Sequence, residues 1–376
     1  MARVMVCGGA GFIGSHLVER HLADGHDVDV VDDLSTGSLA NLATARSMGG
    51  SLRFHHLDVT SLEFAELVGL RNPEVIYHLA ILQPSASDSL SITRSLPALL
   101  GVLEAARRHR VGRVVVAIPA GLLYGEIEAK HQPVKEGRRT EAIGVSHVMA
   151  HTMVDVLNVY RERYGIEFCA LAMGNVYGVR QRPQDGVVAA FASAVVRGTD
   201  AEIFGSGKQT RDFVFIDDAV DALARAYDRG GGLVINIGTG VATSIEEVWK
   251  LVAMGSSLKA RKTTTREEDV TRLALSNVRA KIQLGWAPWT SVVDGIASIR
   301  DTFPKRYRNR SSWAGRTISS IDDSLNHSLS SPRTIATGIP EDFPITSSAA
   351  LATSSAIDTS VTCMTRPSAS GVPRKS

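Results

Sequence analysis

A short apolar run, Arg3–Cys7, leads into Gly8-Gly9-Ala10-Gly11-Phe12-Ile13-Gly14, and a segment with helical spacing (Leu17, Val18, His21, Leu22) follows at once. No other feature restricts the possible folds so strongly. Gly8 permits a tight strand-to-helix turn, Gly11 lets backbone amides approach a pyrophosphate, and Gly14 lets helix and strand pack closely. Phe12 and Ile13 open the helix whose N-terminus would receive that pyrophosphate. A second buried run, Val28–Val31, ends at Asp32, eighteen residues beyond Gly14. A carboxylate there accepts hydrogen bonds from an adenosine ribose and repels a 2′-phosphate. Asp33 and Leu34 continue that edge, and no Arg or Lys follows before Gly37. The pattern predicts NAD rather than NADP.

Strand-like runs then alternate with helix-length amphipathic segments: Arg53–His56, Ser61–Leu70, Val75–Leu79, Pro97–His109, Arg113–Ile118 and Val145–Tyr164. Continuous apolar strands alternating with helices mean a parallel sheet covered on both faces. The expected fold is therefore α/β, a Rossmann-type doubly wound sheet over residues 1–170 with returning segments from about 209–240. Glycine-rich loops interrupt shorter elements from 171 to 304, which reads as a smaller substrate lobe. Residues 305–376 read as a low-complexity tail. From Ser311 onward 24 of 66 residues are Ser or Thr, too few apolar groups to offset the entropy of ordering.

Charge and cysteine content narrow the partners. The 41 basic and 39 acidic residues nearly balance, so the electrostatic footprint of a nucleic-acid binder is missing. Cys7, Cys169 and Cys363 are few and far apart, which predicts a reducing, cytoplasmic setting and neither a disulfide framework nor a metal site. The strand-like start at Val4 leaves no place for a signal peptide, and no apolar run is long enough to span a membrane.

Further motifs add a resemblance. Cys7–Leu17, Asp32-Asp-Leu-Ser-Thr-Gly37, Leu57-Asp58-Val59, His78-Leu79-Ala80, Gly174-Asn175-Val-Tyr-Gly178 and Gln209–Asp218 resemble the extended short-chain dehydrogenases. The similarity is greatest to NAD-dependent nucleotide-sugar epimerases and dehydratases of the UDP-glucose 4-epimerase type, over about residues 3–300. The resemblance implies that Asp58 and Val59 hold adenine and that Leu79 and Ala80 line the path to the nicotinamide. It implies that Asn175, Arg211 and Arg266 bind the diphosphate of a UDP- or dTDP-hexose, a use suited to arginine forks. Val187, Val188 and Phe204 would lie near the nucleoside base. It also implies a homodimer, built from helices matching Pro97–His109 and Val145–Tyr164. The second helix carries a stripe (Val145, Val148, Met149, Thr152, Val156, Val159) that reads either as core or as interface.

One departure from the family pattern concerns the chemistry. The family uses Tyr-x-x-x-Lys on one helical face, where the cation lowers the tyrosine pKa, together with an upstream Ser or Thr. Here the matching stretch is Ala142-Ile143-Gly144-Val145-Ser146-His147, so Ile143 stands for tyrosine and His147 for lysine. Pro119 or Ala120 takes the Ser/Thr position. Ile81, Ser95 and Ala172-Met173 also drift. Cofactor and diphosphate motifs are kept while proton-transfer groups are lost together, so the expectation is a binding homologue with impaired or altered catalysis. The alternative is an active 4-epimerase or 4,6-dehydratase with an unusual base. His147 then reads as that base or as a donor to the cofactor ribose. His151 is one turn further on, and Tyr124 survives from the family's Tyr-Gly pair.

Overall fold

A computed structural model describes residues 2–80, 93–138, 142, 144–264 and 270–302. Ile81, Ile143, Arg266, Cys363 and the 305–376 tail lie outside the described residues. The first half runs β1 (Arg3–Cys7), α1 (Phe12–Ala23), β2 (Asp27–Asp32), α2 (Ala43–Ser47), β3 (Leu52–His56), α3 (Leu62–Arg71), β4 (Val75–His78), α4 (Ser95–His109), β5 (Arg113–Pro119), α5 (Ala120–Tyr124) and α6 (Val145–Tyr164). It continues with β6 (Glu167–Met173), β7 (Asn175–Tyr177), α7 (Val187–Arg197), β8 (Ala201–Phe204), β9 (Thr210–Phe215), α8 (Ile216–Arg225), β10 (Leu233–Ile237), β11 (Ala242–Ser244), α9 (Ile245–Val252), β12 (Ala260–Thr263), α10 (Val278–Gln283) and α11 (Val292–Asp301).

Seven strands form one parallel sheet in the order β10-β6-β5-β4-β1-β2-β3. Alternation along β1 shows why both faces are covered. Met5 and Cys7 join a core with Phe64 of α3, Leu99 and Leu103 of α4 and Met153 of α6. Val4 and Val6 join another with Leu17 of α1, Leu223 of α8 and Trp286. The doubly wound expectation holds, and β10 is a returning segment that completes the sheet beside β6. Side-chain caps fix several helix starts. The Ser61 hydroxyl accepts from the Phe64 amide, and Ser244 and Glu247 form a reciprocal capping box.

A third core, including Phe191, Ile203, Phe213, Val248 and Trp249, holds the smaller lobe together. There β9 lies between β11 and β7, and β8 pairs with β12. The successive strands β1–β3 are laid to one side and β4–β6 to the other, so the order reverses between β1 and β4. Such a switch point opens a crevice at the carboxyl ends of the strands.

Candidate functional site

A cleft of about 1590 Å³ opens at that crevice and runs from the glycine loop into the smaller lobe. Gly8 (φ +81°) takes a backbone conformation that an L side chain rarely adopts. A Cβ on Gly14 would lie 2.1 Å from the Gly8 carbonyl oxygen. Close helix–strand packing, the role predicted for Gly14, therefore excludes any side chain there. Gly11 is the N-cap residue of α1 and lines the cleft with Phe12 and Ile13.

Asp32 stands at the end of β2, nearly buried, and braces the loop. Its Oδ2 accepts from the Ala10 amide at 2.8 Å and its Oδ1 from the Leu34 amide at 2.9 Å. Burial pushes its pKa up, while those two backbone donors pull against the shift. Asp33 lines the cleft and accepts from the Ser35 amide at 2.9 Å. Leu34 has φ +57° and is not on the cleft wall; its amide serves Asp32. Asp58 accepts from both the amide and the hydroxyl of Thr60, each through Oδ1 at 2.8 Å. Val59, Leu79 and Ala80 line the same end. The glycine cradle has no room for side chains, an α-helix N-terminus faces it, and a carboxylate stands at the end of the second strand. These features fit a dinucleotide.

The middle of the cleft differs. Its walls include Ala117, Ile118, Pro119, Gly121, Leu122 and Met173, with Arg94, Ser95 and His147 as polar groups among the described residues. Pro119 ends β5 and Ala120 opens α5 with no exposed surface. Neither offers a hydroxyl. His147 sits in the first turn of α6, 2 % exposed. His151, one turn on, is turned into the protein, its Nε2 lying 2.8 Å from the Leu123 carbonyl oxygen. The Tyr124 hydroxyl donates to Asn236 Oδ1 at 2.6 Å, and burial raises its pKa above the usual phenol range. Tyr124 is not on the cleft wall. Of His147, His151 and Tyr124, the structure brings His147 alone to the cleft.

At the far end the cleft wall includes Asn175, Val187, Val188, Phe204 and Arg211. Asn175 opens β7, and Val187 and Val188 open α7. In β8, Ala201 and Ile203 turn inward while Glu202 and Phe204 are exposed. Arg211 Nη1 donates to the Thr210 carbonyl at 2.9 Å. Beside it the buried Asp212 accepts from the amides of Thr239, Gly240 and Leu275 and from the Thr239 hydroxyl. These four bonds fix β9 to two loops of the smaller lobe.

The sequence reading missed Ser35, Asn41, Arg180, Gln181, Arg182 and Asp185, all on the cleft wall. For the last four a signal was present: two arginines in a Gln- and Pro-containing loop directly after Gly178. The helical stripe also resolves. In α6 the core side is Ala150, Met153 and Leu157, while Val145, Val148 and Val159 are about half exposed.

Comparison with known proteins agrees with this geometry. Residues 4–238 match the model of the NAD dependent epimerase/dehydratase family. A UDP-glucose 4-epimerase of Mycolicibacterium smegmatis is 38% identical over 322 residues, 82% of this chain and 99% of that protein. The crystal structure of the Thermotoga maritima UDP-glucose 4-epimerase with UDP-glucose superimposes with a TM-score of 0.75 at 31% identity, covering 80% of this chain and 98% of that one. The Thermus thermophilus UDP-glucose 4-epimerase in complex with NAD gives 0.73 at 30% identity, with the same coverage. The cofactor of this family is NAD, and the cradle described above fits it. The chain is a member of the NAD-dependent epimerase/dehydratase family.

Proposed function

We propose that this protein binds NAD and a nucleotide sugar, a UDP- or dTDP-hexose, and has lost the ordinary proton-transfer chemistry of its family. One observation carries the reading. Where the family pattern needs a hydroxyl and a lysine, the cleft wall has Pro119, with the fully buried Ala120 next to it at the β5–α5 junction, and the buried His147 on α6. NAD, when bound, supplies a hydride acceptor. In this reading Asp32 holds its adenosine ribose, Asp58 accepts from the adenine amine, and Leu79 and Ala80 exclude water from its other end. Asn175 and Arg211 take the diphosphate; the family pattern adds Arg266, which lies outside the described residues. Val187, Val188 and Phe204 cover the base. No described group is then in place to take a proton from a sugar hydroxyl, except His147. A missing base costs on the order of 10²–10⁴ in rate.

A second reading, a working 4-epimerase with His147 as base, is favoured by the burial of that imidazole on the cleft wall. Proton NMR separates the two. Concentrated wild type with added NAD is given UDP-glucose, UDP-galactose and dTDP-glucose. A variant carrying Ala120→Ser, Ile143→Tyr and His147→Lys runs beside it. Turnover by the variant alone supports the binding homologue. Turnover by wild type that is lost in His147→Ala supports the second reading.

We further propose a homodimer through α4 and α6, since Val145, Val148 and Val159 leave α6 with an exposed apolar face. Val148→Asp is expected to sediment as a monomer; a monomeric wild type would refute the dimer. A reducing, cytoplasmic setting is supported by two buried thiols, Cys7 and Cys169. Among the described residues no helix is long and apolar enough to cross a membrane.

A further inference from the structure

We infer that Arg180 is a positioning residue that couples the two ends of the cleft, so that a dinucleotide and a nucleoside diphosphate bind with positive cooperativity. The inference rests on the reading above for its two ligands, but its content is the mechanical link between their sites.

The link is made of short contacts. Residues 178–186 connect β7, which carries Asn175, to α7, which presents Val187 and Val188. The start of this loop is fastened to the cofactor side. His16 Nε2 lies 3.2 Å from the Val179 carbonyl oxygen. Arg180 Nη2 donates to Glu19 Oε1 at 2.6 Å, and Nη1 donates to Ser15 Oγ at 3.2 Å. The same Nη2 lies 3.5 Å from Thr44 Oγ1 on α2. Arg180 and Glu19 side chains are each 19 % exposed, so the pair is better shielded than an ordinary surface bridge.

Arg180 also has φ +71°. An arginine gains nothing from the left-handed region, and such a residue persists only when its surroundings hold it there. Those surroundings are α1 and α2. Beyond Arg180 the loop is internally tied. Gln181 Nε2 donates to the Val176 carbonyl at 3.0 Å, and Arg182 binds both carboxylate oxygens of Asp185 at 2.6 and 2.8 Å. A Cβ on Gly186 would meet the Gln181 amide at 2.3 Å. A shift at Arg180 is therefore passed to Gly186 and the start of α7.

On the other side, α1 begins at the glycine loop, so a pyrophosphate there fixes the helix that bears Ser15 and Glu19. Whichever ligand binds first bears the cost of ordering this shared junction, and the second binds more tightly.

The test is isothermal titration of the full-length protein with UDP, with and without saturating NAD, and the converse titration. Wild type is expected to bind UDP at least about fivefold more tightly with NAD, the lower end of usual coupling factors. Arg180→Gly removes the side chain and relieves the backbone strain. It is expected to bring the factor to within about twofold of unity while either ligand alone still binds. Glu19→Gln should do the same in part, and Arg180→Lys should restore part of the coupling. A purely structural role would lower the melting temperature and leave the factor unchanged. Full coupling in both Arg180→Gly and Glu19→Gln, or none in wild type, overturns the inference. Failure of wild type to bind UDP at all, with NAD binding intact, instead overturns the nucleotide-sugar reading.

Discussion

The glycine end of the cleft and its middle are built differently. At the glycine end the groups that fit a dinucleotide are mutually supported: Gly14 against Gly8, Asp32 against the amides of Ala10 and Leu34. In the middle the wall is largely apolar, with Pro119 at the end of β5 and His147 on α6; in the function proposed above, three groups that act together in the family are replaced together. If that proposal holds, the contrast teaches that binding and proton transfer are separable here, because they rest on different elements. The first rests on backbone geometry around β1 and α1. The second rests on side chains at the starts of α5 and α6, which can be exchanged without disturbing the sheet.

The sharpest way to break this comparison is to restore the middle. The triple variant with Ala120→Ser, Ile143→Tyr and His147→Lys is expected to exceed each single variant in turnover by about 10²-fold or more, since base, tuner and hydroxyl act as a unit. Proton NMR of UDP-galactose conversion reads the effect. Equal rates in all variants would show that more than these three groups separates the chain from catalysis. The opposite manipulation spoils the intact end. Gly14→Ala forces a Cβ to 2.1 Å from a carbonyl oxygen and 2.8 Å from the Gly9 Cα. Backbone atoms cannot swing aside, so NAD affinity by titration calorimetry should fall about 100-fold, at a cost of about 3 kcal/mol in the melt. Unchanged NAD binding would remove the glycine loop from the site.

How much of this was legible beforehand follows from the range of the interactions. The strand–glycine–helix unit and the bounds of Val145–Tyr164 are local, set by periodicity and by glycine at 144 and 165. The helix at Ala120–Tyr124 escaped notice because five residues are too few to display a period. The pairing of β8 with β12 joins segments some sixty residues apart, and no pattern in either segment names the other. The contacts of Arg180, though not the residue itself, were illegible for a related reason. Its partners Ser15 and Glu19 precede it by more than 160 residues, so its role exists only in the folded chain. The α6 stripe shows the limit of amphipathicity: its apolar positions surround much of the helix, and only packing separates Met153, which is buried, from Val148, which is exposed.

A third prediction concerns what lies beneath the cleft. His78 ends β4 just before Leu79, is fully buried, and neither ring nitrogen has a hydrogen-bond partner. His21 of α1 is buried likewise. Burial lowers each pKa from 6.5 to about 3. The unfolded chain therefore binds protons that the folded chain refuses. Their stabilising share is complete above about pH 6.5 and is lost as pH falls toward 3. At about pH 5 each histidine withdraws about 2 kcal/mol. Urea melts of wild type at neutral pH and at about pH 5 should show the loss, and His78→Leu should remove about half of it. A melt that does not depend on pH in this window would mean that both imidazoles find partners in solution.

The smallest expected effect returns to a single glycine, now at the depleted end. Gly121 lies inside α5 and on the cleft wall, and a Cβ there meets nothing within 4 Å. Its φ lies outside the left-handed range that would exclude alanine. Gly121→Ala should therefore stabilise the protein, by about 0.4–1 kcal/mol, chiefly by restricting the unfolded chain. NAD affinity should stay within about twofold, well below one factor of ten per 1.4 kcal/mol. The pair Gly14→Ala and Gly121→Ala then reads the comparison in one chemical change. Added at the first position, a methyl group strikes the backbone of Gly8 and Gly9, which the proposed function assigns to the cofactor cradle. Added at the second, it enters open space beside α5. A large loss of NAD binding from Gly121→Ala would mean that the nicotinamide end is packed against α5 as tightly as the pyrophosphate is against α1, and the two ends would then differ in chemistry but not in fit.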